Sequence, residues 1–225
     1  MPTPAPRHET SRTQAKAATR QRILDVARAH LATEGAAQLS MRRIAHDVGV
    51  VPSALYKHVP TRDALLTELI KDAYRGLADH LDAAPATWTR RALALREWAV
   101  GHPHEFQLIY GTPVIGYSAP ADTIQPAARV LDGFLAVIDD PPDAELPEAL
   151  ARQLCPLAET THQPVGRIAA VLARLSQLVG MIMLELGGHF VGTLTPADHF
   201  YGWVVSDTVS QLSSGSDPSA ASPGT

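Results

Sequence analysis

The 225-residue sequence has a single cysteine, Cys155. No intramolecular disulfide framework can form, and a reducing compartment is the natural setting. No apolar run follows Met1, which argues against a secretory leader. The longest greasy stretch, Leu178 to Leu186, carries Glu185. It falls short of the roughly 20 apolar residues a membrane span needs, so the expectation is a cytoplasmic protein with no membrane partner. Catalytic signatures are also missing: there is no Gly-x-Ser-x-Gly, no His-Glu-x-x-His, no P-loop and no dinucleotide fingerprint. His102-Pro103-His104-Glu105 is the one metal-like cluster. Histidines two apart at a helix start point to different faces, so no metal, no cofactor and no catalytic residue are expected. Cys155 has no neighbouring His or Lys in sequence and reads as a buried structural thiol.

What is present is a globular balance, 45% apolar and 19% charged. The formal net charge of −4 hides an asymmetry. Up to Arg62 there are ten Lys and Arg against four acids, a net +6, and beyond it nine against nineteen, a net −10. A basic head on an acidic body is the pattern of a polyanion-binding module joined to a different kind of domain.

Periodicity is helical almost throughout, and no stretch alternates convincingly with period 2, so the fold class is all-α. Residues 1–18 read as a disordered arm and 213–225 as a low-complexity tail. A helix over about Thr19 to Glu34 carries the stripe Ile23, Leu24, Ala27 and Leu31, with Gly35 placed to end it. A second runs Met41 to Val48, capped by Ser40, with Leu39 stapled onto Ile44. A third opens at Pro52 and ends near His58. A fourth begins after Thr61, carries Leu66, Leu69, Ala73, Leu77 and Leu81, and stops by Pro85. Further helices are expected over about Thr89 to Val100, Pro103 to Tyr110, Thr123 to Ile138, Pro147 to Leu157, Val165 to Leu186 and Pro196 to Leu212. Asp139 to Pro147 reads as a loop, and Thr195-Pro196-Ala197-Asp198 as a capped helix start. The division is a DNA-binding domain over 19–62 and a body over 63–212.

Two short helices separated by Gly49-Val50-Val51 form a helix-turn-helix pattern. Ala45, Val48, Val50 and Leu55 sit where the pair must pack. Gly49 permits the tight turn. Ser53, Ala54, Tyr56, Lys57 and His58 remain as an outward face. An ordinary helical hairpin satisfies the same spacing.

The run from Arg22 to Ile70 resembles the tetracycline-repressor family of bacterial transcription regulators. The landmarks are Ala27, Glu34-Gly35, Ser40, Ile44-Ala45, Val48-Gly49-Val50, Leu55-Tyr56-Lys57-His58-Val59 and Leu65-Leu66. Val59 stands where the family commonly has phenylalanine. The resemblance implies a homodimer whose heads read an inverted-repeat operator in double-stranded DNA, and whose bodies dimerise and bind an unidentified small-molecule effector. It implies that Ser40 and Arg42 face phosphate or a base edge and that Pro52, Ser53 and Ala54 meet bases. It also implies that Tyr56, Lys57 and His58 reach phosphates, Lys57 alternatively a guanine, and that Arg62 reaches the DNA backbone. Arg42 is the candidate for a bidentate guanine contact. Tyr56 has an alternative as packing against the first helix.

In the body, Trp98, Phe106, Tyr110 and Tyr117 gather unusually for a chain with 5% aromatics. With Met181 and Met183 they are candidate pocket residues, and a solid core is the alternative. The run His102 to Tyr117 resembles an actinobacterial subgroup of the family. Leu175 and Val179 stand where one pattern of the family's C-terminal domain carries Trp and His. The apolar stretch Ile168 to Leu186 must be covered on several sides. Leu175, Leu178, Ile182, Tyr201, Val205 and Val209 are therefore expected at a dimer interface. The expected function is a ligand-responsive repressor. The alternatives are a small-molecule-binding protein or enzyme without specific DNA binding, and a transcriptional activator.

Overall fold

The computed structural model describes residues 7–138 and 146–213, with side chains from 13 to 208 within those ranges. The expected loop at 139–147 lies almost wholly outside the described residues, as does the tail beyond Ser213. Among the described residues the fold is all-α: α1 Arg7–Glu34, a 3-10 turn Ala36–Gln38, α2 Met41–Val48, α3 Pro52–Tyr56, α4 Arg62–Ala83, α5 Trp88–Gly101, α6 Pro103–Tyr110, a 3-10 turn Ala121–Thr123, α7 Ile124–Leu135, α8 Glu148–Thr161, α9 Val165–Leu186 and α10 Asp198–Ser213. The first helix thus begins at Arg7, not near Thr19, so the stretch expected as an arm is helical from Arg7 onward.

The chain divides into two compact units, and the boundary differs from the sequence expectation. The first unit runs to Ala73 and also takes in His104–Thr123; the second comprises Tyr74–Pro103 and the chain from Ile124 onward.

In the first unit α1, α2, α3 and the first half of α4 close over Ile23, Ala27, Ile44, Ala45, Leu55, Leu65 and Leu66, each fully buried. Each aliphatic side chain of Val or Leu size so buried contributes roughly 1.5–3 kcal/mol before chain entropy is counted. Leu39 and Ile44 are both buried, as the staple requires. Leu108, Val114 and Tyr117 from the later stretch pack against the same core. The Thr61 hydroxyl accepts from the Ala64 amide at 3.0 Å and caps α4. Ser40 occupies the N-cap position of α2, yet its side chain makes no capping bond.

The second unit is organised by α5. Its Trp88 meets Phe134 of α7 edge-on at 5.2 Å and donates to the Thr208 hydroxyl of α10 at 3.1 Å. Arg96 forks onto Glu185 of α9 at 2.7 and 2.6 Å, reaches Asp198 at 2.6 Å and lies 5.6 Å from the centre of the Tyr201 ring. These carboxylates hold the guanidinium pKa above its ordinary value, Glu185 contributing most. The Tyr201 hydroxyl donates to the Ala92 carbonyl at 2.8 Å, and burial raises its pKa. Glu185 is therefore the buried anchor of α9 and not a solvated exception in it.

Three expectations need correction here. Leu178, Ile182, Tyr201 and Val205 are buried within the single chain, so they have no area left to give a partner. Leu175 is half-buried, and the side chain of Val209 lies outside the described residues. Cys155 is exposed on α8, its thiol donating to the Ala151 carbonyl at 3.3 Å, and is no core thiol. The Thr195 hydroxyl donates back to the Phe190 carbonyl at 2.9 Å, and α10 starts only at Asp198. Among the described residues α9 is long and apolar enough to cross a membrane, a longer greasy element than the Leu178–Leu186 run. Within the chain it is anchored by the Glu185 fork and by Arg174, which donates to the Thr208 carbonyl at 3.2 Å.

Candidate nucleic-acid interface

The helix-turn-helix is built from three local decisions. Gly49 ends α2 in the left-handed region at φ 76° and ψ 35°. A Cβ there would meet nothing within 4 Å, so the requirement is conformational and not steric. The reversed chain returns the Val50 amide to the Ala45 carbonyl at 2.9 Å. Pro52 then occupies the first turn of α3, where its missing N–H costs no helical bond. Leu55 is the one buried residue of α3 and pins it to Ala45 and Val48 beneath.

Because a single side chain faces inward, the rest of α3 faces out. Pro52, Ser53, Tyr56 and Lys57 are exposed and Ala54 is half-buried. Tyr56 is 47% exposed, so it is a surface residue and not packed under α1. His58 is half-buried with its Nδ1 enclosed and unpartnered.

Two arginines hold α2 at its ends. Arg22 of α1 donates to the Val48 carbonyl at 2.6 Å, the last residue of α2. Arg62 donates to the carbonyls of Ala36, Ala37 and Leu39 at 2.7, 3.1 and 3.2 Å, on the turn leading into α2. Arg62 was expected to reach the DNA backbone; its guanidinium is instead turned onto the protein, where it positions α2. A cationic donor satisfying otherwise orphaned carbonyls is worth more than a neutral bond.

A third tie was not foreseen. His30 of α1 is buried, with Nε2 at 2.7 Å from one oxygen of Asp47, while Nδ1 of His46 lies 2.8 Å from the other. Hydrogen bonds from His46 and then His30 hold the Asp47 carboxyl below the usual carboxylate range.

Arg42 and Arg43 are adjacent and opposite in role. Arg43 forks onto Glu34, Nη1 reaching Oε2 at 2.6 Å, which raises its pKa. Arg42 is exposed and has no hydrogen bond or ion pair among the described residues. The two are indistinguishable as letters in the sequence. Only the position of Glu34 separates them.

The candidate pocket residues are divided. Phe106, Tyr110 and Tyr117 belong to the first unit and Trp98, Met181 and Met183 to the second. Tyr117 packs on the head core, its hydroxyl 3.0 Å from that of Thr67. Lys71 of α4 reaches Asp122 at 2.9 Å, which raises the lysine pKa. Phe106 is buried against Tyr110 at 4.9 Å. Trp98 is buried and stacks on His102 at 4.9 Å. A cleft of about 260 Å³ in the second unit is lined by His80, Pro85, Arg90, Leu93 and Glu97 among others, and by none of the candidates. No group of three or more potential metal ligands occurs among the described residues.

Comparison with known proteins agrees with this architecture. Residues 23–69 match the family model described as bacterial regulatory proteins, tetR family. Residues 88–208 match the one described as tetracyclin repressor-like, C-terminal domain. HTH-type transcriptional regulators of Mycobacterium tuberculosis and Mycobacterium bovis are 42% identical over 127 residues, covering 52% of this chain and 54% of theirs. The chain thus spans about half the length of the curated relatives it matches. The crystal structure of SCO4313, a protein assigned a regulatory role, is 35% identical with a TM-score of 0.75, covering 92% of this chain and all of that one. A tetR-family transcriptional regulator from Streptomyces coelicolor shares the fold at 18% identity and a TM-score of 0.60, over 88% of this chain and 82% of its own. With an N-terminal helix-turn-helix head and a matched C-terminal domain covering more than half its length, this chain belongs to the tetracycline-repressor family of regulators.

Proposed function

We propose that the protein is a homodimeric, effector-responsive repressor that binds an inverted-repeat DNA operator. The observation that carries this is the one-sided burial of α3. Leu55 anchors the helix, while Ser53, Tyr56 and Lys57 stand in solvent beside an unpaired Arg42. A short, rigidly seated helix with small and hydrogen-bonding side chains outward suits a major groove. Ser40, Pro52, Ala54 and His58 complete the proposed contact set. Most of these contacts position the head, and Arg42 reads a base.

Dimerisation is proposed through the free faces of α9 and α10. On α9 the exposed residues are Ala173, Ser176, Gln177, Gly180 and Leu184. The small ones allow two helices to approach closely. On α10 Trp203 is 63% exposed and stacks on Phe200. A second copy covering this face would bring two heads to successive major grooves, about 34–36 Å apart. The effector is assigned to the second unit, where Trp98, Met181 and Met183 offer an aromatic and two adaptable apolar walls. Its differential affinity for two states of the dimer would change operator affinity. The site of action is the cytoplasm, where the operator is.

The test is selection of duplexes from a random-sequence pool by the full chain. Enrichment of an inverted repeat, lost in Arg42→Ala, supports the reading. A pool that emerges unenriched, with weak binding indifferent to salt, overturns it.

A further inference from the structure

The core of the first unit uses only the C-terminal half of α1. Ile23, Leu24, Ala27 and Leu31 are buried, whereas every side chain from Thr13 to Ala18 is exposed, on all sides of the helix. A polar helix touching nothing gains no tertiary stabilisation, and an isolated segment of this length is marginal in water. Its composition is one-signed. Between Arg7 and Ala18 stand Arg7, Arg12 and Lys16 against Glu9 alone. Lys16 pairs with no acid among the described residues.

The root of this segment is fixed beside the helix-turn-helix. Arg20 is bound to Glu68 at 2.7 Å, and Arg22 to the Val48 carbonyl at the turn leading into α3. Both are therefore occupied with the protein. From Arg22 back to Arg7 the helix rises about 22 Å, enough to pass several phosphates beyond the groove that α3 would occupy. The chain beyond Arg62 carries a net charge of −10. Yet it contributes no acid to Lys16, so a basic helix left bare points to a polyanion outside the chain.

We propose that the N-terminal turns of α1, Arg7 to Ala18, form a second DNA contact, laid along phosphates flanking the half-site and adding affinity without sequence preference. The proposal rests on the DNA-binding reading above. It commits to duplex DNA because the segment is rooted at the recognition turn. An anionic membrane is the competing polyanion.

The experiment measures binding of the full chain to a duplex selected from the random pool and to a scrambled duplex of about 40 bp, over a range of salt. It compares wild type with the triple variant Arg7→Ala, Arg12→Ala, Lys16→Ala. Each phosphate contact adds about 0.9 to the slope of log affinity against log salt. The slope is expected to become shallower by about 2–3 on both duplexes, with the selected-to-scrambled ratio unchanged and the hydroxyl-radical footprint shortened at both ends. The charge-keeping pair Arg7→Lys, Arg12→Lys should retain the wild-type slope, and an unchanged urea midpoint excludes a folding defect. If wild type binds and the triple variant keeps slope and footprint, the second contact is overturned while the repressor reading stands. If wild type binds neither duplex, the repressor reading itself fails. Loss of binding to phosphatidylglycerol vesicles with an intact DNA slope would assign the segment to membrane and overturn the proposal.

Discussion

The Arg22 guanidinium donates to the backbone carbonyl of Val48 across the joint between α1 and the recognition turn, at 2.6 Å. It replaces a bond that the end of α2 cannot make for itself, since Gly49 has already left the helical path. Arg22→Met should leave the aliphatic stem packed but the carbonyl unpaired. Such a bond to a charged donor is worth about 1.5–3 kcal/mol. We expect a loss of that size in urea denaturation, and DNA affinity that falls at every sequence alike. A variant as stable as wild type would show that the turn does not depend on this bond.

Arg42 and Arg43 should separate cleanly on substitution. Arg42→Ala is expected to leave thermal stability unchanged and to remove about 1–3 kcal/mol of discrimination at one base pair. Arg43→Ala should loosen the tie to Glu34 of α1 and leave base preference intact. Selection from a random pool with each variant reads the difference. The reverse result would exchange their roles.

Trp203 and Leu178 lie on two faces of the same helical layer. Trp203→Ala should shift the protein from dimer to monomer in sedimentation velocity while its helical content persists. Leu178→Ala removes a fully buried side chain and should cost about 2–5 kcal/mol of stability, whatever the assembly state. A dimer that survives Trp203→Ala and Trp203→Glu places the interface elsewhere.

Asp47 makes the head sensitive to acid. Its folded pKa lies below that of the unfolded chain, so its contribution is complete above the ordinary carboxylate value, about 3.9, and is lost as pH falls through the lower folded value. Asp47→Asn should therefore flatten the acid limb of stability below about pH 4. Urea midpoints across pH 2–7 for both proteins measure it. Parallel curves would exclude this carboxylate as the cause.

Much of the head was legible because its signals are local. The ends of α2 follow from Leu39, Ser40 and Gly49 within ten residues of sequence, and Pro52 marks the start of α3 by its own chemistry. The boundaries of α6 and α9 coincide with their apolar periods. The failures are tertiary. In α9 nearly every face is apolar, so periodicity could not tell that Leu178 and Ile182 turn inward while Gly180 and Leu184 turn out. Arg62 looked like a phosphate ligand because its partners are main-chain carbonyls, which leave no trace in composition. The start of α1 was missed for the opposite reason: helix without a core carries no apolar stripe to detect.

The placement of Leu108, Val114 and Tyr117 against the core of α1–α4 bears on how this regulator can be cut and recombined. A fragment ending at Ala73 would keep every residue of the reading motif yet lose the cover over its own floor. A chimaera that transplants these heads onto another body must carry two separate stretches of chain, and one made by a single crossover would inherit an open seam.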